Sequence, residues 1–265
     1  MSKRQPTFFI SHGGGPWPWL PEMRQRLATL EASLADIPNQ LPETPKAILM
    51  ISGHWEGPDF AVSSSAAPPM VYDYSNFPPF TYQIKYGAAG APDLAQRTLE
   101  LITAAGLPAH LDPAQGFDHG VFAPMAVMYP NADVPTYQVS LKAGYDPEMH
   151  LALGRALKPL RDEGVVIVGS GLSYHNLRRM GEPGREPSAA FDAWLDAALK
   201  SDPASRTALL KQWDKAPAAR ICHPEEDHLI PLMAAIGAAE TETATRIYHD
   251  ANAYGGITAS SYRFG

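Results

Sequence analysis

Cysteine is almost missing from this 265-residue chain: Cys222 is the only one. No internal disulfide can form, which fits a reducing, cytoplasmic setting, and a cysteine-rich zinc knuckle is excluded. Long apolar runs are missing as well. None approaches the ~18 residues of a membrane span, so no membrane association is expected. The opening MSKRQPTFF carries too short an apolar run for a secretory leader. Lysine and arginine form no block, and the formal net charge is −7, so nucleic acid is not an expected partner. Internal repeats, low-complexity tracts and linkers are absent too.

What remains describes a folded enzyme-sized domain. Hydrophobic residues make up 45% and charged residues 18%. That balance belongs to globular chains, and the length suits one α/β domain over 1–265. Proline is plentiful, at 26 residues, which points to ordered loops on a rigid scaffold.

Continuous apolar runs such as AILMIS and VVIVGS read as central strands covered on both faces. Strands are expected at 7–11, 47–52, 60–64, 135–140, 165–170 and 245–249. Helices are expected at 22–35, 91–105, 147–162, 188–200, 205–214 and 231–239. In 147–162 a stripe runs through Met149, Leu153, Leu157 and Leu160. Pro159 is expected to kink or end that helix early. The alternation predicts an α/β fold: a mostly parallel central sheet with helices on both faces. The segment 66–90, aromatic and proline-rich without a period, reads as an ordered excursion that covers a site.

The stretch TFFISHGGGP ends a strand on Ser11 and His12 and then places three glycines in a row. No P-loop lysine comes after them, and no GxGxxG fingerprint is completed. The letters HGGG match a lipase oxyanion loop, but no GxSxG nucleophile accompanies them. A metal site fits better. Ligands in open α/β sheets gather at the carboxyl ends of strands, and other histidines recur in such places. AILMISGHWE leads to His54, and VVIVGSGLSYH to His175. His119 lies in a glycine-flanked loop; His223 and His228 precede an apolar helix, and spacing does not choose between them. Histidine is the commonest metal ligand, and a site needs three or four from separate elements. His110, His150 and His249 are expected outside the site, with His150 facing water. Trp17 and Trp19 suit either a pocket wall or packing beneath the loop. Asp118 suits either orienting His119 or capping a helix.

In order, SHGGGP, SGHWE, YDYSNFPPFTYQIKYGAAGAP, GFDHGVFAPM, GSGLSYHNL and HPEEDHLIPL resemble the class III extradiol ring-cleaving dioxygenases, in the 4,5-DOPA-extradiol-dioxygenase branch. The likeness spans the chain from about Phe8 to the end. It implies non-haem Fe(2+) for activity, with Zn(2+) able to occupy the same site. The implied ligands are His12, His54 and His228. Related enzymes have glutamate in the third place, and Glu225, Glu226, Asp227 and His223 stand close by in sequence. His175 matches the family's catalytic acid–base histidine, and His119 its second active-site histidine. The resemblance implies extradiol cleavage of a catechol by O2 to a muconic semialdehyde. A zinc hydrolase using the same ligands, or a binding protein on this fold, are the alternatives. For the carboxylate of a substrate, Lys142 and Arg178 are the candidate partners. No oligomeric state is implied.

Overall fold

The three most apolar runs form the middle of the sheet. In a computed structural model describing residues 3–265, TFFIS is β1 (Thr7–Ser11), AILMIS is β2 (Ala47–Ser52), and VVIVGSG is β8 (Val165–Gly171). Every residue of the three is buried, as strands covered on both faces require. The remaining strands are β3 (Glu56–Gly57), β4 (Phe60–Ser63), β5 (Ala109–Asp112), β6 (Thr136–Gln138), β7 (Leu141–Lys142), β9 (Ala244–Ala253) and β10 (Ile257–Phe264). Six strands make the central sheet in the order β6-β2-β8-β1-β10-β9. Pairings from β6 to β1 are parallel, and β10 and β9 close one edge antiparallel. The small parallel pairs β3–β7 and β4–β5 sit apart.

The helices are α1 (Pro21–Arg26), α2 (Ala28–Asp36), α3 (Pro92–Ala104), α4 (His119–Met128), α5 (Pro147–Asp162), α6 (Arg185–Lys200), α7 (Pro203–Lys211), α8 (Ala219–Cys222) and α9 (Pro231–Gly237). Side chains alternate across a strand, and β8 shows two covered faces. Gly169 lies against the Pro231 carbonyl of α9, whereas Ser170 donates a hydrogen bond to the Gly120 carbonyl of α4. The expected fold class is therefore present: a single-domain α/β fold with a mostly parallel sheet and helices on both faces. Among the described residues no helix is long and apolar enough to cross a membrane.

Several local expectations need correction. The helix expected at 22–35 breaks at Leu27, whose backbone leaves helical geometry between α1 and α2. Pro159 does not end α5, which runs on to Asp162. It stands near the C-terminal end, so its helix loses only part of one turn's hydrogen bonding. The strand at 245–249 is one end of the longer β9, and the stretch 205–214 ends as a helix at Lys211.

His150 does not face water; it is fully buried. Its Nδ1–H donates to the Asp146 carbonyl at 2.8 Å, and its Nε2 accepts from the Lys142 amide at 3.1 Å. Only a neutral ring can do both, because a second ring proton would point at the Lys142 N–H. Burial pushes its pKa down to about 4 from the ordinary 6.5. Below pH 6.5 the unfolded chain takes a proton that the folded chain refuses. Stability therefore falls as pH drops from 6.5 to 4, by up to about 1.4 kcal/mol per pH unit from this residue. Glutamine keeps one donor and one acceptor but does not titrate. A His150→Gln variant should lose less thermal stability than the parent between pH 7 and 5; equal losses in parallel melting curves would contradict this assignment.

Candidate active site

Five imidazoles converge where the parallel strands end. His12 comes directly after β1, His54 lies two residues past β2, and His175 four past β8. His119 opens α4, and His228 sits in the loop before α9. That loop is tied to the sheet, since the Leu172 amide donates to the His228 carbonyl at 3.0 Å. The ring centroid of His12 lies 5.0, 5.2 and 5.1 Å from those of His54, His119 and His228. His54 and His119 are 4.0 Å apart, and His175 stacks on His228 at 3.4 Å.

Two carboxylates hold these rings. Asp73 Oδ2 accepts from His119 Nδ1 at 2.9 Å and lies 3.3 Å from His54 Nδ1. Asp227 Oδ2 accepts from His228 Nδ1 at 2.7 Å, and its Oδ1 is 3.6 Å from His175 Nδ1. A carboxylate partner fixes the Nδ1–H tautomer and leaves Nε2 with a lone pair. The Nε2 atoms of His54 and His228 then face each other at 3.1 Å. Two lone pairs at that distance repel unless something positive lies between them. His12 is 1% exposed, yet neither of its ring nitrogens has a partner. Buried polar atoms are seldom left this way.

Electrostatics point in the same direction. Burial first, then the neighbouring imidazoles, push His12 and His54 well below the ordinary histidine range. Burial outweighs the Asp227 partner and lowers His228 to about 4. These rings are neutral near pH 7, the form that binds metals. Burial alone would raise the Asp227 carboxyl, but contacts with His175 and His228 outweigh it and hold it well below the usual range. Imidazole nitrogens are borderline donors that suit divalent transition metals, iron and zinc among them.

By distance alone the histidines sort differently from the expected set. Ligand atoms of His12, His54 and His119 lie within 4.8 Å of one another, as do those of His175, Asp227 and His228. His12, His54 and His228 are thus three members of a larger cluster that geometry does not single out. His223 is not among them. It is buried in the core, its Nε2 bonded to the Ser173 carbonyl at 3.0 Å and its ring edge-on to Phe191 and Trp213. His110 and His249 are exposed on β5 and β9.

The glycines after His12 have separate reasons. Gly13 has φ +83°, and a Cβ there would sit 2.1 Å from Trp17 Nε1. That indole packs beneath the loop and donates to the His12 carbonyl at 2.7 Å. Gly15 has φ +52° and lies against the Phe77 ring. Trp17 is therefore packing, and Trp19 packs on Phe122 outside the cavity wall. Asp118 neither orients His119 nor caps α4 through its side chain. It accepts from Ser52 Oγ at 2.7 Å, and burial raises it to about 6. The orienting carboxylate is Asp73, from the 66–90 excursion, a residue that sequence pattern does not mark. A lone acid between Tyr72 and Tyr74 is its one visible signal. Lys142 lies away from the cavity, bonded to the Pro58 carbonyl and 3.2 Å from Asp59.

Residues 8–265 match the family described as the catalytic LigB subunit of aromatic ring-opening dioxygenase. A 4,5-DOPA dioxygenase extradiol from Beta vulgaris is 38% identical over 264 residues, covering 97% of this chain and 96% of that protein. Dioxygenase tasH from Hapsidospora irregularis is 37% identical, covering 98% of this chain and 85% of that protein. The crystal structure of an uncharacterized Escherichia coli K12 protein superposes with a TM-score of 0.77 at 29% identity, covering 99% of this chain and 100% of that one. Imidazoles gathered at the strand ends of an α/β sheet, together with a match along almost the whole length, make this chain an enzyme of the LigB family of aromatic ring-opening dioxygenases.

Proposed function

We propose that the protein cleaves a catechol beside its two hydroxyls, using O2 and a divalent iron held by His12, His54 and His228, to give a muconic semialdehyde. The supporting observation is His12, a buried ring with two unpartnered nitrogens set among the rings of His54, His119 and His228. When bound, iron supplies the redox centre that lets O2 react with the ring. The reaction adds both oxygen atoms to the catechol and releases nothing, so every proton taken up must be given back.

His175 is the group suited to that exchange. Asp227 lies on its Nδ1 side, leaving Nε2 toward the cavity to accept a catechol proton and later return it. His119 donates Nδ1–H to Asp73, so its Nε2 is an acceptor that orients a substrate hydroxyl. Phe77, Leu172 and Met180 line the space beside them and keep water from the reacting ring. The lone buried thiol of Cys222 fits a cytoplasmic setting.

Anaerobic loading of metal-free protein with Fe(II) or Zn(II), followed by O2 uptake with 4-methylcatechol, tests the proposal. One O2 per catechol and a yellow product with Fe(II) alone are expected. Zinc-dependent hydrolysis without O2 uptake would replace the dioxygenase with a hydrolase on the same ligands. Asp73→Asn should cost about ten- to a hundredfold in activity with unchanged circular dichroism, the usual effect of losing a carboxylate behind active-site histidines. Full activity would remove Asp73 from its orienting role.

A further inference from the structure

We propose that Arg178 and Arg179 form an anion subsite beside the catalytic cavity, and that it holds the carboxylate on the side chain of a catechol. This deepens the catechol reading above and rests on it.

The cavity that holds the histidines does not end at His175. A second cleft, of about 500 Å³, shares His175, Leu177 and Asp227 with it, so the two spaces adjoin along these residues. Arg178 and Arg179 line the second cleft, together with Pro224 and Glu225. The two spaces differ in charge. Among the described residues no lysine or arginine lines the first. Its acids, Asp73 and Asp227, are hydrogen-bonded to histidines. The second holds two guanidiniums against Glu225 and the shared Asp227. A catechol whose ring lies among the histidines therefore finds its cations only by extending a tail past Leu177.

These arginines also differ from most others in the chain. Arg155 pairs with Glu148 and Glu240, and Arg220 with Glu226. Among the described residues Arg178 and Arg179 have no ion-pair partner, although Glu225 lines the same cleft. Guanidinium matches a carboxylate with two parallel N–H groups, so this pair suits such a ligand. The backbone that carries them is fixed in advance. They belong to one 3-10 turn, Leu177–Arg179, directly after His175 and the buried Asn176. Asn176 Oδ1 accepts from the Arg178 amide at 3.0 Å, and its Nδ2 donates to the Ile221 carbonyl at 2.7 Å. The His175 amide donates to the Cys222 carbonyl at 3.0 Å, and the Tyr174 hydroxyl to the Arg179 carbonyl at 2.8 Å. The turn is thus tied to the segment that leads into Pro224 and Glu225. Binding there orders two side chains and no loop, which lowers its cost.

The test compares the parent with the double variant Arg178→Gln/Arg179→Gln. Both residues are exposed, so the variant keeps the fold. Three catechols are used: 4-ethylcatechol, 3-(3,4-dihydroxyphenyl)propanoate and 3,4-dihydroxybenzoate. Two methylenes carry the carboxylate of the propanoate about 2.5 Å farther from the ring than that of the benzoate, by ordinary C–C lengths. Dissociation constants are measured anaerobically on the Fe(II)-loaded protein, and kcat and KM in air. The variant should bind the propanoate about five- to tenfold more weakly, between the effect of an exposed ion pair and that of a hydrogen bond to a charged group. The other two should move by less than about twofold, the ethyl compound having no charge and the benzoate too little reach. kcat on the propanoate should hold within about twofold, because the lost contact lies away from the reacting atoms. Unchanged propanoate binding overturns the subsite. Equal weakening of propanoate and benzoate overturns it too, since a diffuse field would then do the work. Turnover of 4-ethylcatechol by both proteins keeps the dioxygenase reading whatever the arginines do. A loss of binding confined to the propanoate, without turnover of any catechol, sinks that reading and leaves this one standing, whereas no binding at all sinks both.

Discussion

His175→Gln should lower kcat for a catechol by about a hundred- to ten-thousandfold, the range that positioned acid–base groups supply, while Fe(II) affinity changes only a few-fold. The reason lies in where the ring sits. His175 stacks on His228, tilted by 23°, and is the more exposed of the two. Its Nδ1 is directed at Asp227 and its free edge borders the cavity. On the proposed reading His175 holds and releases a proton, while His12, His54 and His228 hold the metal. Two measurements on one variant separate the roles. A nearly unchanged metal titration together with a reduced kcat supports the proton-transfer role. A parallel collapse of both would make His175 a ligand, as in a closed zinc site.

His228→Ala should act on the opposite quantity. His228 is 1% exposed, locked between Asp227 at 2.7 Å and His54 at 3.1 Å. In the proposed three-histidine site, losing His228 removes roughly a third of a binding energy of about 10 kcal/mol, or two to three orders of magnitude in affinity. Activity should disappear at ordinary metal concentrations. Thermal melting gives an independent reading. Metal at a thousandfold excess over its dissociation constant should stabilise the parent by about 4 kcal/mol. The same metal concentration should stabilise the variant by only about 0.4–1.4 kcal/mol, because it then stands at about one to ten times the weakened dissociation constant. A variant stabilised by metal as much as the parent would shift the third ligand to Asp227 or His119.

Much of the site is legible in the sequence because parallel strands announce themselves. TFFIS, AILMIS and VVIVGSG are apolar without interruption, and the loops that leave their carboxyl ends share one end of the sheet. His12, His54 and His175 can therefore be placed together from sequence alone. α4 is not visible there, since HGVFAPMAVM is apolar all round and holds Pro124, so it has no helical period to read. β10 is hidden by Thr258, Ser260 and Ser261, polar residues that are buried because they find partners across the sheet and around it. Ser261 Oγ accepts from the Ser11 amide, and the Ser260 amide donates to Ser173 Oγ. His150 misleads for the same reason, its partners being backbone groups of the turn before its own helix. Asp73 escapes notice because 46 residues and an irregular segment separate it from His119. Hydrophobic pattern reveals scaffold, whereas polar groups satisfied over long range reveal themselves only when folded.

The central claim is that one catechol and one O2 combine at this cluster. Turnover of 4-methylcatechol under isotopically labelled O2, with mass spectrometry of the product, tests it most directly. A ring-opened product carrying label in its new carboxylate, from Fe(II)-loaded protein only, is the predicted result. Unlabelled product, or the same product from zinc-loaded protein, would contradict it.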